Sequence, residues 1–251
     1  VEAFAEVASL PFGDLVVQSV EDVDFLAPFK FYRNEPRSLK ISAVFMQDGD
    51  DVVARCTLIG EREIATQDEP QVTTHFTGTV RLSEERLSIE SSSVPDPASG
   101  EVAAGDVYGV YFHGPTYQVL ASAWTDGEQA VGAMAAELPP NHIPEDRVTL
   151  TGPRLVELCF QTAGMWEIGS TGTMALPMHI DRVIVGAETP SDAGSGLAAI
   201  VQPGTDSFDA VVVDGSGEAL IAVEGYRTIH LPGALTDDDI APIKEAMAPN
   251  A

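Results

Sequence analysis

Basic residues are scarce in this chain of 251 residues. It has 13 lysines and arginines against 39 aspartates and glutamates, which gives a net charge of −26. The lysines number three: Lys30, Lys40 and Lys244. A field of this sign repels DNA, RNA and anionic lipid, because all of these carry negative charge themselves. The composition therefore excludes nucleic-acid partners and argues against binding to a membrane surface.

Cysteines and long apolar runs are also few. Cys56 and Cys159 lie far apart in apolar segments, and neither has a metal ligand at useful spacing, so we expect two buried thiols and no metal site. No apolar run has the length of a membrane helix, and no signal-peptide pattern opens the sequence. These absences predict a soluble protein of the reducing cytoplasm.

Apolar residues nevertheless make up 44% of the chain, enough for one large domain or two small ones that share a core. The strongest pattern is Pro153–Trp166, which is apolar nearly all round at helical spacing and is typical of a core helix that ends near Gly164. Glu157 and Gln161 lie inside it, four residues apart and therefore on one side. Because burial disfavours a charged carboxylate, Glu157 is a candidate proton donor. The alternative is a structural glutamate at the rim of the buried face.

The predicted segments repeat along the chain. A helical pattern at Val1–Leu10 precedes four strand-like segments, and the second helix precedes four more. Between the halves, Ser83–Gly105 has no apolar period and is predicted to be a linker, with strands at Thr116–Thr125 and Glu128–Leu138 after it. The repeated strand-like segments are Leu15–Leu26, Leu39–Met46, Asp51–Gly60 and Val72–Leu82, then Pro177–Val185, Gly196–Val201, Ser207–Val213 and Gly217–Leu231.

This repeat predicts an internal duplication of an α+β unit. The expected fold is a tandem (double) hot-dog, in which long central helices are wrapped by an antiparallel sheet. We place the first hot-dog unit at 1–82, the linker at 83–105, the second unit at 106–235 and a C-terminal tail at 236–251. Set side by side, the helices match Glu157 to Glu2 and Gln161 to Glu6. The second unit has opening strands ahead of its helix and the first has none, so we expect the first unit to lack its leading strand. Two unrelated α+β domains are the alternative.

Four segments together resemble a known family. In Pro153–Trp166 an acid precedes Gln by four, as in a family helix motif where the acid is usually Asp. VYFHGPTY (Val110–Tyr117) is similar to Gly-Tyr-x-Tyr-Gly-Pro-x-Phe, and LPMHI (Leu176–Ile180) matches the first two positions of Leu-Pro-Phe-x-Trp. VEDVDFLAPFKFYR (Val20–Arg33) looks like a first-half strand and loop. The family is the dehydratase domains of polyketide synthases and the related polyunsaturated fatty-acid synthases, which are double hot dogs.

The resemblance implies a hydro-lyase that removes water from a β-hydroxyacyl thioester on an acyl carrier protein. It implies no metal and no cofactor, apart from the phosphopantetheine of the carrier that holds the substrate. Glu157 would protonate the departing hydroxyl, and Gln161 would hold that carboxyl or the hydroxyl. The remaining substrate-binding residues that it implies are Tyr111, Gly114, Pro115, Tyr117, Leu176 and Pro177.

The catalytic base is where this sequence departs from the family. The family takes the α-proton with a histidine in a His-x-x-x-Gly-x-x-x-x-Pro motif just upstream of the first helix, and these 251 residues do not contain that motif. His113 is the best substitute, although it occupies a Tyr position. We expect no catalytic role for His75, His142, His179 and His230. A non-catalytic acyl-binding or structural double hot-dog, and a hot-dog thioesterase that uses Glu157 and water, stay open as alternatives.

The net negative charge of the chain also affects how an acyl carrier protein would bind to it. Acyl carrier proteins are usually acidic, so this chain would repel one in solution, which favours a carrier tethered in the same synthase. A docking patch would then use the few basic residues, such as Arg147, Arg154 and Arg182, while Lys30 and Arg33 could face the phosphopantetheine arm. A homodimer is compatible with this arrangement.

Overall fold

The computed structural model describes residues 1–31, 37–62, 69–97, 100–186, 196–233 and 235–248. The helices are α1 (Glu2–Ser9), α2 (Ala104–Val110), α3 (Pro153–Thr171) and α4 (Asp237–Ala246), with a 3-10 turn at Pro115–Tyr117. The strands are β1 (Val16–Phe25), β2 (Leu39–Asp48), β3 (Asp51–Arg62), β4 (Gln71–Ser83), β5 (Val102–Ala103), β6 (Leu120–Asp126), β7 (Gln129–Met134), β8 (Ala175–Val185), β9 (Ala198–Pro203), β10 (Phe208–Val213) and β11 (Ala219–His230).

The described strands form one antiparallel sheet whose two halves repeat the same connectivity. Its order is β2-β3-β4-β1-β8-β11-β10-β9-β7-β6-β5. Outward from the centre the first half runs β1, β4, β3, β2, and the second runs β8, β11, β10, β9. The halves meet where β1 pairs with β8, with Val20 opposite Val183. This sheet with its helices confirms the tandem hot-dog fold. β9 is flanked by β7, whereas β2 is the outermost strand of the described sheet on its side. The absence of a leading strand from the first unit stays a prediction.

The central helix of the second unit, α3, is longer than predicted. It begins after Gly152 in the left-handed region (φ 57°), with Pro153 in its first turn, and ends at Gly172 (φ 72°). The prediction that the helix ends near Gly164 is wrong. Gly164 is needed for another reason, because a Cβ there would overlap the Tyr111 hydroxyl. The buried residues of α3 lie on nearly all of its sides, as expected of a core helix.

The segments between the two units are more structured than the sequence indicated. The stretch predicted as a linker ends in β5 and the first turn of α2. Its earlier part is tied to the sheet, since Trp124 Nε1 donates to the Pro95 carbonyl (3.1 Å) and Ser92 N donates to the Gly217 carbonyl (3.0 Å). β6 begins at Leu120 because the preceding residues form the 3-10 turn. The division of the chain at 82, 105 and 235 stays a prediction.

The core is continuous between the two units. Phe25 of β1 packs edge-on against Phe160 of α3, with ring centroids 6.4 Å apart. Cys56 and Cys159 are buried free thiols, as expected, and burial raises the pKa of Cys56 to about 11. Across the described ranges, no helix is both long and apolar enough to cross a membrane.

Candidate active site

A cavity of about 210 Å³ opens beside the N-terminal half of α3. Its walls come from the loop after α2, from α3 itself, and from the strands β8 and β11. Six residues predicted from the sequence line the cavity: Tyr111, His113, Glu157, Gln161, Leu176 and Pro177. The sequence pattern did not single out the others, which are Phe112, Phe160, Met174, Ala175 and Tyr226.

The carboxyl group of Glu157 is contacted by two side chains at the same oxygen. Gln161 Nε2 donates to Glu157 Oε1 at 2.9 Å, and His113 Nε2 lies 3.0 Å from that oxygen. The spacing of four along α3 brings the amide next to the carboxyl. The Glu157 side chain is 22% exposed, so it is half-buried and reachable from the cavity. Of the two interpretations left open by the sequence, this position favours a glutamate that meets a ligand.

The side-chain amide of Gln161 is fully hydrogen-bonded. Its Nε2 donates to the Tyr117 carbonyl at 2.8 Å as well as to Glu157, and its Oε1 accepts from the Tyr108 hydroxyl at 2.8 Å. Tyr108 was not predicted from the sequence. The signal that could have found it is its position near the end of the short helix α2, three residues ahead of Tyr111.

His113 lies between two aromatic rings. The ring of Phe112 stacks on it, with centroids 5.3 Å apart and an interplanar angle of 11°. The ring of Tyr111 packs edge-on against it, with centroids 5.2 Å apart and an angle of 76°. Its Nδ1 is buried and has no hydrogen-bond partner among the described residues. The other nitrogen, Nε2, is close enough to Glu157 for a proton to pass directly between the two groups. The structure thus brings the two predicted catalytic residues into contact.

Tyr111 covers the middle of α3 at Gly164. Its hydroxyl donates to the Gln161 main-chain carbonyl at 3.4 Å. Burial raises the pKa of Tyr111 well above its usual value, and the carboxylates of Glu157 and Glu167 add to the shift. The phenol therefore stays protonated, and remains a donor, throughout the neutral pH range.

The other residues of the Val110–Tyr117 motif shape the turn that carries His113. The Gly114 carbonyl accepts from Tyr117 N at 2.9 Å, and Pro115 begins the 3-10 turn. Gln118 Nε2 donates to the His113 carbonyl at 3.0 Å. Gly114, Pro115 and Tyr117 are not among the described lining residues of the cavity, and Tyr117 meets Gln161 through its backbone. A substrate-binding role for these three stays a prediction.

The four other histidines are described, and none of them lines this cavity. His75 is buried, with Nδ1 3.0 Å from the Ala27 carbonyl. His179 lies between two carboxylates, 2.7 Å from Asp24 and 3.0 Å from Asp181. The remaining two contact neighbouring loops: His142 the Arg147 carbonyl, and His230 the Thr173 hydroxyl.

The structure corrects one expectation about the basic residues. Arg154 is 4% exposed, and its guanidinium donates to the carbonyls of Thr116 and Pro139. It therefore secures the start of α3 and cannot belong to a docking patch. Arg147 and Arg182 are more accessible, but they lie beside Glu6 (2.9 Å) and Glu21 (3.6 Å). Lys30 is exposed. Arg33 lies outside the described residues.

The described residues thus combine a double hot-dog fold with a glutamate and a histidine in contact at the wall of a cavity. Residues 84–236 match the family described as the polyketide synthase dehydratase N-terminal domain. Because this match spans more than half of the chain, the protein belongs to the polyketide synthase dehydratase family. No curated protein matches the chain.

Solved structures of such domains share the fold. The dehydratase domain from the CurF module of the curacin polyketide synthase superposes with a TM-score of 0.71 and 18% identity, over 92% of this chain and 82% of that one. A trans-AT polyketide synthase dehydratase domain from Brevibacillus brevis superposes with a TM-score of 0.69 and 13% identity, over 92% of this chain and 83% of that one. For the CurK-module domain of the curacin synthase the TM-score is 0.65 and the identity 16%, with the same coverage of both chains. At these identities the likeness concerns the fold.

Proposed function

We propose that this domain dehydrates a β-hydroxyacyl thioester carried by an acyl carrier protein. The observation that supports it is the 3.0 Å contact between Glu157 Oε1 and His113 Nε2 at the wall of the cavity. Elimination of water needs one group that accepts a proton and another that donates one, both within reach of adjacent carbon atoms. A carboxyl and an imidazole in direct contact meet this need.

In the proposed reaction His113 takes the proton from the α-carbon, and Glu157 in its protonated form donates to the β-hydroxyl. The α-C–H bond and the β-C–O bond break, a carbon–carbon double bond forms, and the hydroxyl leaves as water. His113 has then gained one proton, and Glu157 has lost one. The direct contact between the two groups lets the proton pass from His113 to Glu157, which restores the starting state for another turnover.

The remaining walls suit an acyl chain. Phe160 and Tyr226 stack with ring centroids 4.4 Å apart and an angle of 16°. Met174, Leu176 and Pro177 add further apolar surface. Such walls bind the hydrocarbon part of a substrate and keep bulk water away from the reacting carbons.

We further propose that the substrate arrives on the phosphopantetheine of a carrier domain in the same synthase, with no metal involved. The net charge of −26 supports this arrangement, because tethering supplies a high effective concentration where free docking of two acidic domains is weak. The two buried free thiols support a reducing compartment such as the cytoplasm.

The test is to incubate the chain with a β-hydroxyacyl-pantetheine thioester and to identify the product by mass spectrometry. Dehydration gives an enoyl thioester lighter by one water, whereas a thioesterase gives the free acid and a binding domain gives no product. We expect the enoyl thioester, and a loss of about 100-fold or more in both Glu157→Gln and His113→Phe. His142→Gln, away from the cavity, serves as the matched control. Free acid as product, or full turnover in Glu157→Gln, would overturn the proposal.

A further inference from the structure

We propose that Tyr108 is a positioning residue, which sets the orientation of the Gln161 amide and through it the place of the Glu157 carboxyl. This inference rests on the proposed function for its kinetic consequence. It concerns a side chain outside the cavity lining, on a helix that precedes the motif carrying His113.

The hydroxyl of Tyr108 has its direction fixed by the backbone. It accepts a hydrogen bond from Leu120 N at 2.7 Å, at the start of β6. A phenol has a single proton to donate, and here it points at Gln161 Oε1, 2.8 Å away. Burial raises the pKa of Tyr108 above its usual value, although the hydrogen bond from the Leu120 N–H acts in the opposite direction. The hydroxyl of Tyr108 therefore keeps its proton, and can donate it in a hydrogen bond, at neutral pH.

This donor selects one of the two orientations of the Gln161 amide. With Oε1 toward Tyr108, both amide hydrogens meet acceptors, the Tyr117 carbonyl at 2.8 Å and Glu157 Oε1 at 2.9 Å. The flipped amide would place its oxygen against these two acceptors. Gln161 is 2% exposed, so water does not compensate for a lost partner.

Glu157 depends on that amide because its own side chain has several rotatable bonds. Removal of the Tyr108 hydroxyl would leave the Leu120 N–H and Gln161 Oε1 without partners in a buried place. Gln161 would then shift, and the carboxyl would lose the donor that holds it beside His113. Such a displacement should lower the rate of the chemical step more than it weakens binding, since the apolar walls of the cavity are unchanged.

The first test compares Tyr108→Phe with the wild type. We expect kcat to fall by about tenfold or more, with KM changed by no more than about twofold, because a misplaced acid slows the chemical step. Gln161→Ala and the double variant complete a cycle, in which the double variant should be no slower than Gln161→Ala alone. Thr125→Val is the matched control: it removes a buried hydroxyl that donates to the carbonyls of Ala246 and Ala248 (3.3 Å each), and kcat should not change.

A second readout does not depend on turnover. In ¹⁵N NMR spectra, the side-chain amide protons of Gln161 should be slow to exchange in the wild type and should shift and exchange faster in Tyr108→Phe. An unchanged Gln161 amide signal, or an unchanged kcat, in a folded Tyr108→Phe variant would overturn the inference. If the wild type makes no enoyl thioester, the proposed function fails, and the amide signal still decides whether Tyr108 orients Gln161.

Discussion

The helices α1 and α3 hold the same place in the two hot-dog units, but their glutamates have different neighbours. Glu2 of α1 accepts hydrogen bonds from Leu150 N (2.7 Å), Thr151 N (2.8 Å) and Thr151 Oγ1 (2.5 Å). Glu157 of α3 meets an amide and an imidazole at the wall of a cavity. The carboxylate of Glu2 holds backbone in place, whereas the carboxylate of Glu157 lines a cavity. The two glutamates therefore differ in their surroundings, although their helices hold the same place in the fold.

The two helices also differ in length and in how much of each is buried. α1 has 8 residues and buries three of them, Phe4, Ala5 and Ala8, whereas α3 has 19 residues and buries eleven. Glu2, together with the ion pair between Glu6 and Arg147 (2.9 Å), ties α1 to the loop ahead of α3. The first helix therefore supports the segment that leads into the second, and the second helix carries Glu157 and Gln161 of the candidate site.

The largest effect on stability is expected for Glu2→Gln. An amide cannot accept all three hydrogen bonds, so at least one buried donor loses its partner. We expect the free energy of unfolding to fall by about 2 kcal/mol, measured by urea denaturation. Turnover at a temperature where the variant is folded should stay near that of the wild type. A drop in turnover without a drop in stability would contradict a purely structural role for Glu2, because it would give this carboxylate a role in the chemistry.

Gly164→Ala tests the close approach of Tyr111 to α3. A Cβ at this position would overlap the Tyr111 hydroxyl, so the phenol must move away. We expect a loss of about 1 to 2 kcal/mol in stability, together with reduced turnover. Gly109→Ala in α2 is the control, because nothing lies within 4 Å of a Cβ built there. That variant should be as stable as the wild type or slightly more so, by about 0.5 kcal/mol.

The stability of the protein should depend on pH through Glu167. Burial raises the pKa of this α3 carboxyl, against the effects of the Thr228 hydroxyl (2.9 and 3.1 Å) and His230. A raised pKa means that the folded state binds the proton more tightly than the unfolded state does. Stability should therefore fall as the pH rises from the ordinary glutamate pKa of about 4.3 through the raised value. In Glu167→Gln this part of the pH dependence should disappear from urea titrations. A wild-type stability that rises over the same window relative to the variant would contradict the assignment.

Glu6→Gln should have the smallest effect. Its partner Arg147 is 54% exposed and Glu6 itself 35%. Ion pairs of this kind contribute about 0.5 kcal/mol or less and weaken with salt. The expectation would be contradicted if Glu6→Gln lowered the free energy of unfolding as much as Glu2→Gln does and the loss persisted at high salt. The ion pair with Arg147 would then be as strong as the hydrogen bonds of Glu2.

The features that depend on local sequence pattern could be predicted from the sequence. Helical spacing identified α3 with Glu157 and Gln161 on one side, and the order of segments predicted the duplicated fold. Contacts between distant segments were not predictable in this way. Tyr108 meets Gln161 across 53 positions, and the stack of Phe160 on Tyr226 joins a helix to a strand near the end of the chain. The end of α3 was also missed, because a glycine can mark a helix terminus or, as at Gly164, make room for a neighbouring side chain.

The proposed role of Glu157 as the catalytic acid is tested most directly by comparing Glu157→Gln with Glu2→Gln. For both variants we would measure turnover of a β-hydroxyacyl-pantetheine thioester and the midpoint of urea denaturation. We expect Glu157→Gln to lose about 100-fold or more in turnover with its urea midpoint nearly unchanged. Glu2→Gln should show the reverse, a lowered midpoint with turnover retained. Wild-type turnover in a folded Glu157→Gln variant would contradict the claim that the second helix carries the catalytic acid.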